Sequence, residues 1–181
     1  MSEKKNDAAM GKLTITLGAI CAVCALLLGL TNMVTADQIA AIQKAKNDAA
    51  MAEVLPVSGE YTEVEYTGSD ATIQSVHKAG DEGYVVEVSP ASSFSGTLTI
   101  MVGVKADGTV SGVAVTKSGE TSGLGDNAKR PDFRERFVGA SGEAKVTKDG
   151  GKIEALTGAT ITSRAVCAGV TSALAVCAEL G

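Results

Sequence analysis

Hydrophobic residues are arranged along this chain in three different ways. Residues 13–36 form one apolar run without a charged side chain, and it includes AICAVCALLLGL. From Thr35 to Pro56 the apolar residues recur at helical spacing. From Glu60 to Ser118 β-branched and polar residues alternate between turn signals such as AGDEG and ADG. The pattern therefore predicts an apolar helix, a second helix and then a sheet.

The apolar run is long enough to cross a lipid bilayer, because a helix of its length extends roughly 36 Å. Three lysines precede it, Lys4, Lys5 and Lys12, and Asp37 follows it. By the positive-inside rule, the N-terminus lies in the cytoplasm and the rest of the chain outside. We therefore expect a single-pass protein of the cell (inner) membrane, with an extracytoplasmic C-terminal domain.

Two other interpretations of the apolar run are weaker. A cleaved signal peptide could end at the small residues of MVTA, but the apolar core of such a signal is usually about 7 to 15 residues long. A buried core helix would offer a polar face to water, and this run has none. The expected organisation is a cytoplasmic N-terminus at 1–12, a transmembrane helix at 13–35, a linking helix at 36–55 and a folded domain at 56–181.

The domain at 56–181 is expected to be α+β, with a largely antiparallel sheet flanked by helices. The predicted strands are 60–66, 71–79, 83–90, 96–104 and 108–118. They are followed by a Gly-rich loop at 119–126, a charged helix-like stretch at 129–139, a short strand pair around 144–156 and a final helix at 162–180.

Composition excludes several functions. The net charge of -5 and the absence of a Lys/Arg cluster argue against nucleic acid binding. Aromatic residues make up only 3% of the chain and Trp is absent, so the core must consist of Val, Ile, Leu and Ala. A bound aromatic ring would have no Trp to stack on.

The four cysteines predict neither a metal site nor a disulfide. Cys21 and Cys24 share one face of the apolar helix, but there is no second pair nearby to complete a four-ligand site. Cys167 and Cys177 would lie about 15 Å apart along one helix, too far for a disulfide. Both pairs are interpreted as small apolar packing residues.

Common catalytic patterns are also missing. His77 is the single histidine and lies in a Val-flanked strand without a nucleophile signature, so a histidine metal cluster is excluded. Asp81 and Glu82 fall in a turn, where carboxylates are usually solvated. The Gly-x-x-x-x-Gly-Lys-Ser/Thr phosphate loop is absent.

The segment ALTGATITS, residues 155–163, has four hydroxyl side chains just before the last predicted helix. A helix N-terminus carries free N–H groups and the positive end of the helix dipole, and glycine lets a bulky group approach the backbone. The segment could therefore bind a phosphate. The simpler alternative is a helix cap formed by Thr160, Thr162 or Ser163.

EALTGATITS resembles the flavinylation motif of the FMN-binding domain family, Asp followed by Ser/Thr-Gly-Ala-Thr, in which the last Thr carries FMN through a phosphoester. Thr157, Gly158, Ala159 and Thr160 match that motif, and Thr160 is the acceptor. The family's Asp is Glu154 here, which keeps the charge and adds a methylene group. The resemblance implies covalent FMN at Thr160, attached by a flavin transferase.

A second segment, ETSGLGD at 120–126, resembles the family's Glu-Thr-Pro-Gly-Leu-Gly loop, with Ser122 in place of Pro. At SSFSG, residues 92–96, the family would lead us to expect a Gly-Tyr-Gly-like segment. The resemblance extends over nearly the whole chain, because it includes the anchor, the VLP that follows the linking helix, and the strands. The chain resembles the G subunit of the Rnf electron-transport complex more than the C subunit of the sodium-translocating NADH:quinone reductase, which is usually longer.

The resemblance also implies roles for individual residues near the flavin. The cofactor-binding set would be Thr157, Gly158, Ala159, Thr160, Thr162, Ser163, Glu120, Thr121, Gly123, Leu124 and Gly125. Thr162 and Ser163 would cap the helix or bind the flavin phosphate. Gly123 and Gly125 would let the loop approach the isoalloxazine ring, Leu124 would cover one face of the ring, and Glu120 would organise the loop. An ordinary surface turn is the alternative for this loop.

The implied function is that of an electron carrier in an Rnf-like, ion-translocating ferredoxin:NAD+ oxidoreductase complex. The chain has no nicotinamide fingerprint and no iron–sulfur ligand set, so the donor and acceptor sites would lie on partner membrane subunits. No residue of this chain is predicted to be catalytic. The alternatives are a stand-alone anchored flavin reductase and a structural or binding module without a covalent flavin.

Overall fold

The computed structural model describes residues 3–180, with side chains from Gly11 onwards. Met1, Ser2 and Gly181 lie outside the described residues. The side chains of Lys4 and Lys5, part of the predicted cytoplasmic segment, also lie outside them. The chain divides into two compact units, Met1–Ala45 and Lys46–Gly181.

Helix α1 runs from Glu3 to Val54 without a break. The predicted transmembrane and linking helices therefore belong to one continuous helix. It ends two residues before Pro56, since proline disfavours helical backbone in the residue before it and cannot donate to the helix.

The apolar part of α1 exposes large hydrophobic side chains all around the helix, from Leu13 to Val34. An 18-residue stretch within it has a mean hydropathy of 2.5, and none of that stretch is buried. The hydroxyls of Thr16, Thr31 and Thr35 donate to carbonyl oxygens four residues earlier, at 2.8–2.9 Å. An apolar surface on every side and internally bonded hydroxyls suit a hydrocarbon environment and a membrane anchor.

The second unit contains a five-stranded antiparallel sheet in which neighbours in sequence are neighbours in space. The strands are β1 Thr62–Val64, β2 Ile73–Lys78, β3 Gly83–Val88, β4 Thr99–Lys105 and β5 Val110–Lys117. Each of the five overlaps a segment where alternation predicted a strand, and the ends differ by up to three residues. The prediction of an α+β fold with an antiparallel sheet is confirmed.

Each face of the sheet is covered by a helix. Helix α3, Thr160–Leu180, packs on one face, where buried valines such as Val86 and Val102 form the larger part of the core. The end of α1 covers the other face through Met51 and Val54.

The close approach of α1 to the sheet depends on a small residue in β4. A Cβ added at Gly103 would come within 2.5 Å of the Val54 carbonyl oxygen. That oxygen accepts a 2.6 Å hydrogen bond from Ser111 Oγ. Glycine is therefore required where the helix end rests on the sheet.

Between β5 and α3 the chain forms short helical turns. These are 3-10 helices at Gly125–Lys129, Glu135–Phe137 and Thr147–Asp149, and the four-residue helix α2 at Pro131–Arg134. Phe133 and Phe137 are fully buried and meet edge to face, with ring centroids 5.4 Å apart. The charged stretch at 129–139 therefore holds two core aromatics.

The prediction of a strand pair around 144–156 is wrong. This segment contains a single isolated bridge between Val146 and Ile153, which is parallel. Between them the chain makes a 3-10 turn that closes at Gly150 with φ +81°. The turn and the consecutive glycines Gly150 and Gly151 interrupt the alternation, so no ladder forms.

Candidate functional site

A pocket of about 410 Å³ lies at the N-terminal end of α3. It is formed by four segments that are distant in sequence: the β3–β4 loop, the loop after β5, the 3-10 turn at Thr147–Asp149 and the start of α3. Its lining residues are Phe94, Glu120, Thr121, Leu124, Gly125, Lys148, Gly158, Ala159, Thr160, Ile161 and Thr162.

Most of the residues expected from the sequence meet at this pocket. Both predicted segments, the loop at 120–126 and the TGAT segment, contribute to its wall. Thr157, Gly123 and Ser163 are not among the lining residues, although each is adjacent to one that is.

Thr160 is half-buried and is the first residue of α3. Gly158 precedes it with φ +75°, a conformation that favours glycine, and a Cβ there would lie 3.1 Å from Leu124 Cδ2. The first N–H groups of a helix have no partner within the helix and favour an anion. The Thr160 hydroxyl thus lies where a phosphate group would be stabilised.

Thr162 and Ser163 behave differently from the expectation of a cap or phosphate ligand. Because α3 begins at Thr160, both residues lie inside its first turn, and both are buried. Ser163 Oγ accepts from the Leu156 N–H and donates to the Ala159 carbonyl, each at 2.9 Å. The Ser163 hydroxyl therefore fixes the turn that presents Thr160.

Glu120 joins three of the segments around the pocket. Its Oε1 accepts hydrogen bonds from the Ser95 N–H at 3.0 Å and the Ser95 hydroxyl at 2.9 Å. Its Oε2 accepts from Thr162 Oγ1 at 2.6 Å. A Cβ at Gly125 would lie 2.5 Å from Thr162 Oγ1 and 2.6 Å from Glu120 Oε2, so only glycine fits beside this carboxylate.

The environment of Glu120 stabilises its ionised form. Burial by itself would raise the pKa of this carboxyl, but the hydrogen bonds from Thr162 and Ser95 outweigh burial and hold the pKa below its usual value. Glu120 is therefore a charged side chain, 7% exposed, whose two carboxylate oxygens both accept hydrogen bonds and which lines the pocket.

Three lining residues, Phe94, Lys148 and Ile161, are absent from the set expected from the sequence. Phe94 is the one large apolar residue in the polar segment SSFSG. That contrast is the feature of the sequence that could have indicated Phe94 as a site residue. Lys148 lies in the segment predicted as strand. The turn that carries it is held to α3 because Arg164 donates to both carboxylate oxygens of Asp149, each at 2.7 Å.

The pocket combines two kinds of surface. Phe94, Leu124 and Ile161 provide exposed apolar side chains. Thr160 provides a hydroxyl group, and Lys148 and the N-terminus of α3 provide positive potential. This combination fits a ligand with a flat apolar part and an anionic group.

Comparison with known proteins agrees with this site. Residues 93–175 match the family model of the FMN-binding domain, and residues 1–54 match that of the RnfG N-terminal region. The chain is 34% identical to the G subunit of the Na(+)-translocating ferredoxin:NAD(+) oxidoreductase complex of Acetobacterium woodii, over 91% of this chain and 90% of the relative. It is 33% identical to the G subunit of the ion-translocating oxidoreductase complex of Methanosarcina acetivorans, over 96% of each chain.

Among solved structures, the chain is similar to the C subunit of the Na(+)-translocating NADH-quinone reductase from Parabacteroides distasonis. The identity is 18% and the TM-score is 0.42, over 73% of this chain and 80% of that one.

The fold and the site define an anchored protein of the FMN-binding class, because the matched domain includes the whole pocket. With relatives of this identity matched over nearly their full length, the chain belongs to the family of G subunits of ion-translocating oxidoreductase complexes.

Proposed function

We propose that this protein is the electron-carrying subunit of an Rnf-type, ion-translocating ferredoxin:NAD+ oxidoreductase complex, and that it carries FMN bonded covalently to Thr160. The observation that carries the proposal is the position of Thr160. It lies at a helix N-terminus, in a pocket that also contains the loop at 120–126, inside the region that matches the FMN-binding domain.

The geometry of the pocket suits FMN. Gly158 leaves the backbone open before Thr160, and the nearest atom to a Cβ there would be the end of the Leu124 side chain. Lys148 and the first turn of α3 would balance the negative charge of the phosphate diester. Phe94, Leu124 and Ile161 would contact the apolar ring system.

Attachment would replace one bond to phosphorus by another. The Thr160 Oγ would form the new O–P bond to the FMN phosphorus, and the phosphoanhydride bond of a flavin dinucleotide would break. The released nucleoside monophosphate would take up the proton of the hydroxyl. A flavin transferase would bind that dinucleotide and catalyse the transfer. The product is a phosphoester, so the protein gains the mass of FMN less one water.

The anchored cofactor gives this chain a carrier's role. Bound FMN supplies one-electron transfer, and the protein sets its orientation and potential. The donor and acceptor sites would lie on the other membrane subunits of the complex. The transmembrane span is proposed at 13–35, with the N-terminus cytoplasmic and the FMN-binding domain extracytoplasmic.

The test is the mass of the protein purified from its native host, which contains the transferase. We expect the peptide containing Thr160 to carry FMN less one water, and the band on a denaturing gel to fluoresce. Thr160→Ala should abolish both signals. Thr147→Ala, which removes an exposed hydroxyl from a residue outside the pocket lining, is the control and should retain them.

An unmodified Thr160 peptide from native membranes would overturn the covalent assignment and favour a structural or binding module. Turnover of external acceptors by the purified flavinylated chain, without partner subunits, would instead favour a stand-alone reductase.

A further inference from the structure

Phe94 is an unusual residue on the surface of this domain. It is 67% exposed, whereas the other two phenylalanines, Phe133 and Phe137, are fully buried. Beyond α1, the described part of the chain has four exposed large hydrophobic side chains: Phe94, Leu124, Val138 and Ile161. Three of these four line the pocket that contains Thr160. An apolar cluster at one pocket indicates that something apolar covers it.

Phe94 also gives the pocket an aromatic side chain, although aromatic residues are scarce in this chain. The chain has no Trp, and of its aromatic residues only Phe94 is among the residues that line this pocket. Aromatic rings prefer offset-stacked or edge-to-face contacts, with centroids about 4.5–7 Å apart. An isoalloxazine ring in the pocket would find its aromatic partner at Phe94.

The loop that carries Phe94 is held by polar contacts to the start of α3. Ser95 donates twice to Glu120, and Glu120 accepts from Thr162, two residues after Thr160. The Gly96 N–H donates to the Ser93 carbonyl at 3.3 Å, which closes the loop on itself. Loop 93–96 is thus fastened to the same helix end that presents the attachment hydroxyl.

We propose that Phe94 packs on the isoalloxazine ring and shields it from water, and that the Ser95–Glu120 contact positions it there. This proposal rests on the proposed function, because the ring reaches Phe94 only when FMN is bound at Thr160. Phe94 is then a cofactor-contacting residue, and Ser95 is a positioning residue that acts through the loop.

The experiment uses the full-length flavinylated protein, purified in detergent from the native host. Phe94→Ala removes the ring, Phe94→Leu keeps an apolar side chain without a ring, and Phe94→Tyr keeps an aromatic ring. Val138→Ala is the matched control, because Val138 is 54% exposed and does not line the pocket. Mass and in-gel fluorescence first establish that FMN is on Thr160 in each variant.

The readouts are flavin emission in the native state and its quenching by iodide. Phe94 shields the ring without quenching its emission, because a phenyl ring does not donate an electron to the excited flavin. Phe94→Ala should therefore increase quenching by iodide several-fold. Phe94→Leu should give little gain in iodide access. Phe94→Tyr should keep the shielding and lower the emission strongly, because a phenol in contact with the ring donates an electron to the excited flavin. Ser95→Ala should give a smaller change in the direction of Phe94→Ala, because it loosens the loop and retains the ring.

Flavinylated Phe94→Ala with the iodide quenching of the wild type, or flavinylated Phe94→Tyr with the emission of the wild type, would overturn the proposal. A loss of electron transfer in the complex with those flavin signals unchanged would also overturn it, and would assign Phe94 to a protein-docking surface. A wild-type protein without FMN on Thr160 would overturn the proposed function itself, and mass detects that outcome separately.

Discussion

Helices α1 and α3 are both long and apolar enough to cross a membrane, yet their surroundings differ completely. The most apolar stretch of α1 has no buried residue, whereas 61% of the corresponding stretch of α3 is buried within the domain. The charged residues of α3, Arg164 and Glu179, are exposed. Length and mean hydropathy therefore do not separate an anchor from a core helix; the grouping of polar residues on one face does.

The hydroxyl groups of the two helices show the same contrast. In α1 the Thr16 and Thr31 hydroxyls bond within the helix. In α3 Thr162 donates to Glu120, and Thr171 accepts from the Ala144 N–H at 3.0 Å. Helix α3 is thus connected to other segments, which allows its first turn to form part of a site.

The largest effect is expected from a charge in the buried face of α3. Val170 is fully buried in the core, so Val170→Asp places an unpaired carboxylate there. We expect a loss of more than about 4 kcal/mol, a large share of the stability of a typical domain. Circular dichroism and limited proteolysis would show an unfolded domain. Ala168→Asp, at an exposed position of the same helix, should fold normally.

A charge in α1 should change membrane association and leave the domain intact. Leu27 lies within the apolar run and is 58% exposed, so Leu27→Arg costs about 2.5–3.5 kcal/mol of insertion free energy. Alkaline extraction of membranes should release more of the variant, with the thermal unfolding of the domain unchanged. Ile42→Arg, beyond the proposed span on the same helix, is the control. Equal retention of Leu27→Arg and wild type would argue against the anchor.

Adding one methyl group to each helix gives a smaller test of the same contrast. At Gly169 a Cβ would lie 2.7 Å from Ile100 Cδ1 and 2.9 Å from Pro90 Cγ, whereas at Gly18 nothing lies within 4 Å. Gly169→Ala should destabilise the domain by about 1 kcal/mol, because overpacking exceeds the gain in helix propensity. Gly18→Ala should leave domain unfolding unchanged. A melting temperature for Gly169→Ala at or above that of Gly18→Ala would contradict tight packing of α3.

The smallest effect concerns the buried thiols of α3. Burial raises the pKa of Cys167 to about 11 and that of Cys177 to about 12, against about 8.5 for a free thiol. Since thiolate is the reactive form, iodoacetamide at pH 8 should label these cysteines slowly in the folded domain and rapidly in urea. The measurement is made in a variant that carries both Cys21→Ala and Cys24→Ala, so that only the α3 thiols react.

These pKa shifts also predict a pH dependence of stability. A raised folded-state pKa means that the folded protein keeps its thiol protons longer than the unfolded chain. The associated stability is fully present below about pH 8.5 and is lost as the pH rises towards the folded-state values.

In the labelling experiment, rapid reaction of the folded protein with iodoacetamide at pH 8 would show that α3 opens more readily than its burial implies.

Local pattern was sufficient for most of the elements. Alternation located the five strands, and the uncharged run located the apolar part of α1. It failed at 144–156, where a 3-10 turn closes at Gly150 and only one bridge forms. It also placed the start of the last helix two residues late, and so counted Thr162 as a cap or phosphate ligand, although its hydroxyl donates to Glu120.

The sequence by itself determined the anchor, the strands and the TGAT segment, because each depends on neighbours along the chain: length without charge, a two-residue period, and a glycine before a helix. Only the tertiary structure decided which segments share the pocket. The bond from Thr162 to Glu120 joins residues 42 apart, and the bonds from Ser95 to Glu120 join residues 25 apart. Such contacts arise from the stacking of α3 on the sheet, which no local period encodes, and they bring Phe94 and Lys148 to the site.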